Sequence, residues 1–307
     1  MEKHDLIIVG GGPAGLTAGL YAARSRIDTL LVERLTPGGQ VMTTDLVENY
    51  PGFEEGISGP DLVAKMEKQA RRFDLQIEIR QVEKITLQED RIKLLTDAGE
   101  YLARAVIVAS GAEARLLGVP GEKELKGKGV SYCATCDGPF FRDKEVAVVG
   151  GGDSAVEEAI YLTRFAQRVH LIHRRDQLRA TKVLQERALS NEKLEVIWDS
   201  VVTRINGDQV VQSVVVKNVK TDQESQLEVS GVFMYVGVNP NSDLFDLEIE
   251  KDDNGYVLTD DSMRTSVQGI YAIGDVRSKQ LRQIVNAAGE GAVAAFSAEK
   301  YLEGLVS

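Results

Sequence analysis

Two cysteines, Cys133 and Cys136, stand three positions apart and are the only cysteines in the sequence. Thiols at this spacing can close a reversible disulfide, in which one sulfur is attacked and the other resolves the mixed disulfide. We expect Cys133 to be the exposed thiol that takes part in the attack and Cys136 to be the resolving thiol. The spacing therefore predicts dithiol redox chemistry.

Two other interpretations of the cysteine pair stay open, namely half of a zinc site and incidental core cysteines. A closed zinc site uses four Cys or His ligands. The sequence has no second cysteine pair and only three histidines, His4, His170 and His173. We therefore expect no metal site.

The composition indicates an α/β protein of two domains. Its 307 residues include 29 glycines, and apolar, β-branched runs recur along the sequence. The formal net charge of −11 comes from interspersed acidic and basic residues, which argues against a nucleic-acid partner. No apolar run suits a secretory signal or approaches the ~20 residues needed to span a bilayer. We expect a cytoplasmic protein without a membrane partner, where a Cys-x-x-Cys disulfide is more often catalytic than structural.

A glycine-rich turn occurs twice, at residues 10–15 and 150–155, with an offset of 150 − 10 = 140 residues. Apolar strands at 6–9 and 146–149 lead into the two turns, and the next apolar strand also repeats after 140 residues. Each copy reads as a strand, a helix and a second strand, so the sequence contains two βαβ units.

Such turns are typical of dinucleotide sites. The glycines allow a tight turn and let the backbone approach a pyrophosphate, whose charge meets the amides at the start of the helix. In the first copy the predicted contacts are Gly10, Gly12, Pro13 and Ala14; in the second they are Gly150, Gly152, Asp153, Ser154, Ala155 and Glu157.

The residue that lies 23 positions after the first glycine differs between the copies. In the first copy it is Glu33, whose carboxylate can accept hydrogen bonds from both ribose hydroxyls of FAD or NAD. In the second copy it is His173, followed by Arg174, Arg175 and Arg179. Guanidinium groups bind phosphate bidentately, so this cluster predicts a clamp for the 2′-phosphate of NADPH. The alternative is a solvated basic stretch at the start of a helix.

Further strands complete each unit. Apolar segments at 105–112 and 231–237 end at glycine and are predicted to close the two parallel sheets. Segments 82–95 and 213–229 alternate apolar and polar residues, as in small antiparallel sheets that cover one face.

One more strand, at 269–276, precedes a helix at 282–298 and has no obvious partner in the second unit. We assign it to the first unit, which makes the second domain an insertion with linkers near 116–120 and 237–242. The predicted fold class is α/β, with two Rossmann-like three-layer ββα domains. Their expected bounds are 1–116 and 243–307 for the FAD domain and 117–242 for the NADPH domain that carries the cysteines.

The two kinds of predicted site need an intermediary between them. Nicotinamide gives up a hydride as one two-electron unit, whereas a disulfide accepts electrons through attack at sulfur. A flavin handles both modes. FAD in the first domain, NADPH in the second and the cysteine pair therefore form a complete electron route.

Several motifs, taken in order and spacing, carry a family resemblance: residues 133–138, 150–155, 173–175 with 179–180, and 274–275 with 282–283. The sequence resembles the low-molecular-weight thioredoxin reductases of bacteria, from residue 5 to about residue 304. The resemblance implies a homodimer that contains FAD and uses NADPH to reduce the disulfide of thioredoxin.

The resemblance also implies roles for the residues of the dithiol. Cys136 would lie nearest the flavin C4a, Cys133 would exchange with the disulfide of thioredoxin, and Asp137 would shuttle the proton. A carboxylate beside a dithiol can take up or release the proton of a thiol, which agrees with that role. Alternatively, Asp137 caps the following helix.

Candidate contacts with the two cofactors extend beyond the glycine turns. Residues that match the family's flavin contacts are Gly12, Ala14, Glu33, Gly39, Gln40, Asn49, Asp275, Arg282, Gln283 and Ile284. Further candidates for FAD are Arg34, Gly38, Val82, Ala109, Gly111 and Gly274, and for NADPH they are Val236 and Gly237. Residues 38–40 could instead form an ordinary surface turn, and Asn49 could simply initiate a bend.

One position departs from the family pattern. Where aromatic residues usually follow the dithiol motif, this sequence has Pro139 before Phe140 and Phe141. Proline is stiffer and does not stack in the same way. A thioredoxin-like partner with an altered surface, such as a glutaredoxin-like protein, therefore stays open. Two alternatives do not depend on this position: a flavoprotein reductase of a peroxidase system, although the second Cys-x-x-Cys of such reductases is absent from this sequence, and a redox sensor with bound FAD and no turnover. The cysteine pair argues against a flavin-type ferredoxin–NADP reductase.

Overall fold

Two parallel sheets organise the chain, one in each of two units. The computed structural model describes residues 2–44 and 46–305. Unit 1 comprises the chain up to Glu113 and again from Asn239, and unit 2 is the continuous segment Ala114–Val238.

Unit 1 contains helices α1, α2 and α6. Its elements in chain order are β1 (Glu2–Val9), α1 (Pro13–Arg24), β2 (Thr29–Glu33), a 3₁₀ helix (Gly39–Thr43), α2 (Gly59–Arg71), β3 (Gln76–Ile79), β4 (Val82–Gln88), β5 (Arg91–Thr96), β6 (Gly99–Val108), β17 (Ile270–Ala272), a 3₁₀ helix (Gly274–Val276) and α6 (Ile284–Gly304).

The sheet of unit 1 has the strand order β3-β2-β1-β6-β5-β4. Strands β1, β2 and β3 run parallel, while β4, β5 and β6 form an antiparallel meander. As predicted, the late strand β17 joins this sheet, pairing in parallel with the second half of β6. The carboxyl ends of β1, β2, β6 and β17 therefore lie at one edge.

Side chains of β1 alternate between two cores, because successive residues of a strand point to opposite faces. Leu6 and Ile8 pack in a core with α1, α2 and α6. Ile7 and Val9 face the other side, where they pack in a core with β4 and β5. This gives the three layers that the alternating pattern predicts.

Unit 2 repeats the plan with shorter elements. They are β8 (Val130–Ser131), α3 (Ala134–Asp137), a 3₁₀ helix (Gly138–Phe141), β9 (Glu145–Gly150), α4 (Asp153–Leu162), β10 (Arg168–Ile172), α5 (Lys182–Leu189), β11 (Leu194–Ile197), β12 (Ser200–Asn206), β13 (Ser213–Asn218), β14 (Glu224–Glu228) and β15 (Gly231–Tyr235). Its parallel sheet has the order β11-β10-β9-β15-β8, and β12, β13 and β14 form a separate antiparallel sheet.

Two short strands lie where the chain passes between the units. β7 (Ala112–Ala114) and β16 (Val238–Pro240) pair with each other as a two-stranded sheet. The units change after residues 113 and 238, three and four residues before the expected bounds at 116 and 242. The α/β class with two βαβ units is confirmed. Among the described residues, no helix combines the length and the apolar character needed to cross a bilayer.

Candidate active site

The dithiol motif lies at the end of β8, where the strand gives way to the short helix α3. Cys133 and Cys136 form a disulfide, with their Cα atoms 5.4 Å apart. The amide of Cys136 donates to the Cys133 sulfur at 3.1 Å, and the amide of Cys133 donates to the Ser131 hydroxyl at 3.1 Å. Cys133 is half-buried and Cys136 is exposed. The expectation that Cys133 is the more exposed thiol was wrong, because Cys133 caps α3 and is held against the strand.

A tyrosine of the neighbouring strand supports this turn. The amide of Ala134 donates to the Tyr235 hydroxyl at 2.9 Å. Burial raises the pKa of Tyr235, and the nearby carboxylates of Glu158 and Asp137 raise it further. The hydroxyl therefore stays protonated and keeps a proton to donate beside the dithiol.

Asp137 ends α3 and is half-buried. Its amide donates to the carbonyl of Cys133 at 3.1 Å, which places it directly beside the disulfide. Its side chain makes no capping hydrogen bond to the 3₁₀ helix that follows. The helix-capping alternative for Asp137 therefore finds no support in this geometry.

In unit 2 the dithiol and the second glycine turn lie at the same edge of one sheet. Strands β8, β9, β10 and β15 run parallel, so their carboxyl ends meet there. Cys133 follows β8, Gly150 ends β9, His173 follows β10, and Val236 and Gly237 follow β15. In parallel α/β sheets, ligands bind outside the carboxyl ends of the strands.

The first glycine turn in unit 1 has the form of a pyrophosphate cradle. Gly10 adopts φ +105°, and a Cβ added there would lie 2.3 Å from the carbonyl oxygen of Ala109. A Cβ on Gly15 would lie 1.9 Å from the carbonyl oxygen of Gly10, whereas one on Gly12 would meet nothing within 4 Å. Gly12 precedes the first residue of α1, and no side chain caps this helix start. The turn is therefore closed towards the protein and open at the helix start, which fits an anion such as the pyrophosphate of FAD.

Glu33 ends β2 beside this turn. One carboxylate oxygen accepts from the amide of Gly11 at 2.7 Å and the other accepts from the amide of Leu35 at 3.0 Å. Each oxygen keeps a lone pair that could accept from a ribose hydroxyl. The neighbouring Arg34 is directed to Glu113 instead, with 3.4 Å between the charged groups.

Residues 38–40 are held against the same turn. The amide of Gly38 donates to the carbonyl of Gly11 at 2.8 Å, and a Cβ on Gly39 would lie 3.4 Å from the Cα of Gly12. The side-chain amide of Gln40 donates to the carbonyl of Ala112. These contacts tie the segment to the predicted site and distinguish it from an ordinary surface turn.

Other predicted FAD contacts lie at the same edge of unit 1. Ala109 and Gly111 directly follow β6. Val82 is the first residue of β4 and follows Ile79, the last residue of β3, by three positions. Ile79 pairs with Glu33 of β2. All three positions are therefore near the ends of the strands that carry the glycine turn and Glu33.

Further predicted FAD contacts lie at or beside the start of α6. Helix α6 begins at Ile284, and Gln283 precedes it without a side-chain cap. The side-chain amide of Asn49 donates to the Gln283 side chain at 3.0 Å, which joins two segments far apart in sequence. The guanidinium of Arg282 stacks 4.1 Å from the centre of the Tyr256 ring. The free amides of α6 can therefore donate to a polar edge of a ligand.

The second glycine turn repeats the geometry of the first. A Cβ on Gly150, which has φ +157°, would lie 2.5 Å from the carbonyl oxygen of Tyr235 and 2.6 Å from the Cβ of Ala155. A Cβ on Gly152 would meet nothing within 4 Å, and α4 begins at the next residue without a side-chain cap. This turn is also open for a pyrophosphate.

Three further predicted residues lie in the first turns of α4. Asp153 uses one carboxylate oxygen to accept from the amide of Thr181 at 2.6 Å, so it fixes the loop that follows β10. Ser154 and Glu157 are exposed. Both lie near the start of α4, close in sequence to the open turn at Gly152.

His173 is buried and contacts the backbone of two segments. Its Nδ1 lies 2.9 Å from the carbonyl oxygen of Gly150, and its Nε2 lies 2.9 Å from that of Gln177. Burial lowers its pKa, and the charges of Arg179 and Arg175 lower it further. The ring therefore braces the glycine turn against the arginine loop, a role that the motif did not suggest.

The predicted clamp arginines, Arg174, Arg175 and Arg179, are exposed. Within residues 2–44 and 46–305, no carboxylate forms an ion pair with them. The one acidic residue between them, Asp176, lies 3.5 Å from the ammonium of Lys220, which offsets its charge. The loop presents positive charge that is available to a phosphate.

Sequence reasoning missed a buried charged group at the start of α6. Glu290 and Lys279 are almost fully buried and contact Gly274 and Asp275, two of the predicted FAD residues. The signal was present, because a glutamate surrounded by alanine and glycine in an otherwise apolar helix needs a buried partner. No group of three or more His, Cys, Asp or Glu side chains in the described chain is arranged to hold a metal ion.

Known proteins share this architecture. The profile of the pyridine nucleotide-disulphide oxidoreductases matches residues 4–291. The thioredoxin reductase of Peptoclostridium litorale is 48% identical over 98% of this chain and 98% of its own length. That of Listeria monocytogenes is 50% identical over 98% of this chain and 95% of its own length. A crystal structure of Lactococcus lactis thioredoxin reductase, 48% identical, superposes with a TM-score of 0.96 over 98% of this chain and 99% of that chain. The chain therefore belongs to the pyridine nucleotide-disulphide oxidoreductase family.

Proposed function

We propose that this protein uses NADPH and FAD to reduce the disulfide of thioredoxin. The observation that carries the proposal is the placement of a Cys-x-x-Cys disulfide and an open glycine turn at one edge of the sheet in unit 2, with a second open glycine turn in unit 1. The family and the thioredoxin reductases within it use FAD and NADPH. When bound, the flavin supplies the link between hydride transfer and two-electron reduction of a disulfide.

The residues of unit 1 suit FAD. The open amides at Gly12 would hold the pyrophosphate, and the lone pairs of Glu33 would accept from the ribose hydroxyls. Asp275 would accept from the ribityl chain, and the start of α6 at Ile284 would donate to the polar edge of the ring. Gln40 and Asn49 are held in place by the contacts described above.

The residues of unit 2 suit NADPH. The turn at Gly152 would hold its pyrophosphate, and the exposed guanidiniums of Arg174 and Arg175 would bind the 2′-phosphate. His173 would act indirectly, because its ring is occupied by backbone carbonyls and positions the loop that carries the arginines.

The chemistry of the dithiol follows from its two sulfurs. Two electrons and two protons convert the Cys133–Cys136 disulfide into two thiols. The Cys133 thiolate attacks a sulfur of the thioredoxin disulfide, which forms a mixed disulfide and expels the other thioredoxin sulfur as a thiolate. Cys136 then attacks Cys133, which releases reduced thioredoxin and restores the disulfide. Asp137 would take up and return the proton of the attacking thiol.

The surface beside the dithiol suits a protein partner. Phe140, four residues after Cys136, is 74% exposed. An exposed aromatic side chain can anchor a partner, as such residues often do at the centre of interfaces. We assign this surface to thioredoxin. Measuring the reduction rate with thioredoxin and with a glutaredoxin-like protein shows which of the two is the better acceptor.

A homodimer and a cytoplasmic location form part of the proposal. Val285, Val293 and Phe296 lie along one face of α6 and are 44%, 39% and 59% exposed. An apolar stripe of this kind suits the symmetric contact of a second copy. Phe296→Glu should give monomers in sedimentation experiments, and an unchanged dimer would contradict this assignment.

The proposed cytoplasmic location follows from the dithiol, since a reducing compartment suits a disulfide that is turned over.

The test of the proposed function is turnover followed through the flavin colour. Anaerobic NADPH should bleach the yellow protein, and oxidised thioredoxin should restore the colour over many cycles. Cys136→Ser should still bleach but should fail to reduce thioredoxin. A wild-type protein that bleaches once and is not reoxidised by thioredoxin would be a sensor. Thioredoxin reduction that survives in Cys136→Ser would remove the dithiol from the route.

A further inference from the structure

A buried group of charges lies between the predicted FAD residues and α6. We call Arg277, Lys279 and Glu290 the α6 charge cluster; their side chains are 15%, 6% and 7% exposed. The Lys279 ammonium lies 3.3 Å from one Glu290 oxygen, and the Arg277 guanidinium lies 3.0 Å from the other. The side-chain amide of Asn286 also donates to Glu290, at 3.3 Å.

The cluster reaches two residues of the proposed flavin site. Glu290 accepts from the amide of Gly274 at 2.7 Å. The Lys279 ammonium lies 3.4 Å from the Asp275 carboxylate. Lys279 thus bridges the carboxylate of α6 and the carboxylate that would accept from the ribityl chain.

Charge balance explains why Lys279 is needed at this place. Asp275 and Glu290 bring two negative charges close together, and Asp275 is only 33% exposed. Arg277 contacts Glu290, so Lys279 is the cation that faces both carboxylates. Replacing a whole buried ion pair by apolar side chains is often neutral, whereas removing one partner leaves a buried charge uncompensated, so Lys279 balances Asp275 and Glu290 together.

The loop has other anchors that do not involve Lys279. The amide of Val257 donates to the carbonyl of Val276 at 3.0 Å, and the Ser278 hydroxyl donates to Asp252 at 2.7 Å. These contacts hold the backbone on either side of Arg277. Loss of Lys279 should therefore leave the chain folded while freeing the Asp275 side chain.

We propose that Lys279 is a positioning residue of the flavin site, which holds Asp275 in the orientation that binds FAD and keeps its charge compensated. The inference rests on the proposed function, since it assigns Asp275 to FAD. Lys279 acts through its contacts with Asp275 and Glu290.

The first test compares FAD affinity in Lys279→Met and Lys300→Met. Lys300 is the matched control, because it is also paired with a glutamate, Glu303 at 2.8 Å, but on the exposed surface of α6. Lys279→Met should raise the dissociation constant of FAD about 10-fold to 100-fold, measured by fluorescence titration of the apoprotein. Lys300→Met should change it by less than about 3-fold, as exposed pairs do.

A double-mutant cycle shows whether Lys279 acts through Asp275. In an Asp275→Asn background, adding Lys279→Met should weaken FAD binding by less than about 3-fold, because the carboxylate that Lys279 orients is already gone. Equal effects of Lys279→Met in both backgrounds would overturn the proposal. Thermal unfolding of the apoproteins is measured alongside the cycle. If Lys279→Met lowers only the stability of the apoprotein and leaves FAD affinity unchanged, the role of Lys279 is structural and the proposal fails.

A second variant guards against loss of folding. If Lys279→Met yields no soluble protein, Lys279→Gln keeps a donor for Glu290 while removing the charge, and the same loss of FAD affinity is expected.

FAD binding by the wild-type protein distinguishes failure of the proposed function from failure of the role of Lys279. A wild-type chain that does not bind FAD would refute the proposed function, whereas tight binding unaffected by Lys279→Met would refute only this inference.

Discussion

His173 and Glu33 stand at equivalent places in the two units, yet their polar atoms are used in opposite senses. The Glu33 carboxylate accepts from the backbone amide of the first glycine turn. The His173 ring faces two backbone carbonyls, one in the second glycine turn and one in the arginine loop, so the nitrogen that carries the proton donates to one of them. The acidic or basic character of this position was readable from sequence, and the assignment of FAD to one unit and NADPH to the other that we propose starts from it. The burial of His173 was not readable, because a histidine beside arginines looks like part of the clamp.

At the scale of the residue, the arginine assignment gives a kinetic prediction. Replacing Arg174 and Arg175 together with Ala should raise the KM for NADPH about 5-fold to 150-fold, equivalent to about 1–3 kcal/mol, because charge-assisted bonds to the 2′-phosphate are lost. The KM for NADH, which lacks that phosphate, should change little and serves as the internal control in steady-state assays. Equal losses with both nucleotides would mean that the clamp is misassigned.

At the scale of the element, the two βαβ units were predictable because each combines an apolar strand, a glycine turn and a helix within a short segment. The pairing of β17 with β6 was also predictable, since that strand had no partner elsewhere. Strands β7 and β16 were not, because they are three residues long and pair across more than a hundred residues without any periodicity. The units change after residues 113 and 238, within the two paired segments, and not at the prolines that the sequence suggested.

Neighbouring glycines of one turn should respond differently to the same substitution. A Cβ on Gly151 would lie 2.2 Å from Nδ1 of His173, whereas one on Gly152 would meet nothing within 4 Å. Gly151→Ala should lower the free energy of unfolding by about 1–3 kcal/mol, because the ring must move. Gly152→Ala should keep stability within about 0.5 kcal/mol but weaken NADPH binding, because the methyl group occupies the phosphate space. Denaturant unfolding and nucleotide titration check the pair, and equal stability losses would contradict the argument.

At the scale of the whole molecule, unit 2 is one continuous segment, while unit 1 needs two. Unit 2 has its own core on each face of its sheet. In unit 1, β17 and α6 come from the second segment and pack on elements of the first. We propose that the nucleotide domain is independent in folding and that the flavin domain is complete only when both ends of the chain are present.

A polypeptide of residues 114–238 tests this organisation. It should unfold cooperatively and gain about 2.7 kcal/mol of stability from NADPH at 100 times its dissociation constant, because the nucleotide binds only the folded form. FAD at the same concentration should have no effect. Residues 1–113 alone, the comparison fragment, should not unfold cooperatively in the same calorimetric experiment. A noncooperative transition in 114–238 would refute the independence of the segment.

The loop of Arg174 and Arg179 is attached to the glycine turn by main-chain atoms. The amide of Arg179 donates to the carbonyl of Gly151 at 2.7 Å, and the amide of Thr181 donates to Asp153 at 2.6 Å. Arginine side chains can therefore be exchanged for other residues without moving the scaffold. Coenzyme preference in this protein should accordingly be open to engineering, and to evolutionary drift, at little cost to the rest of the catalyst.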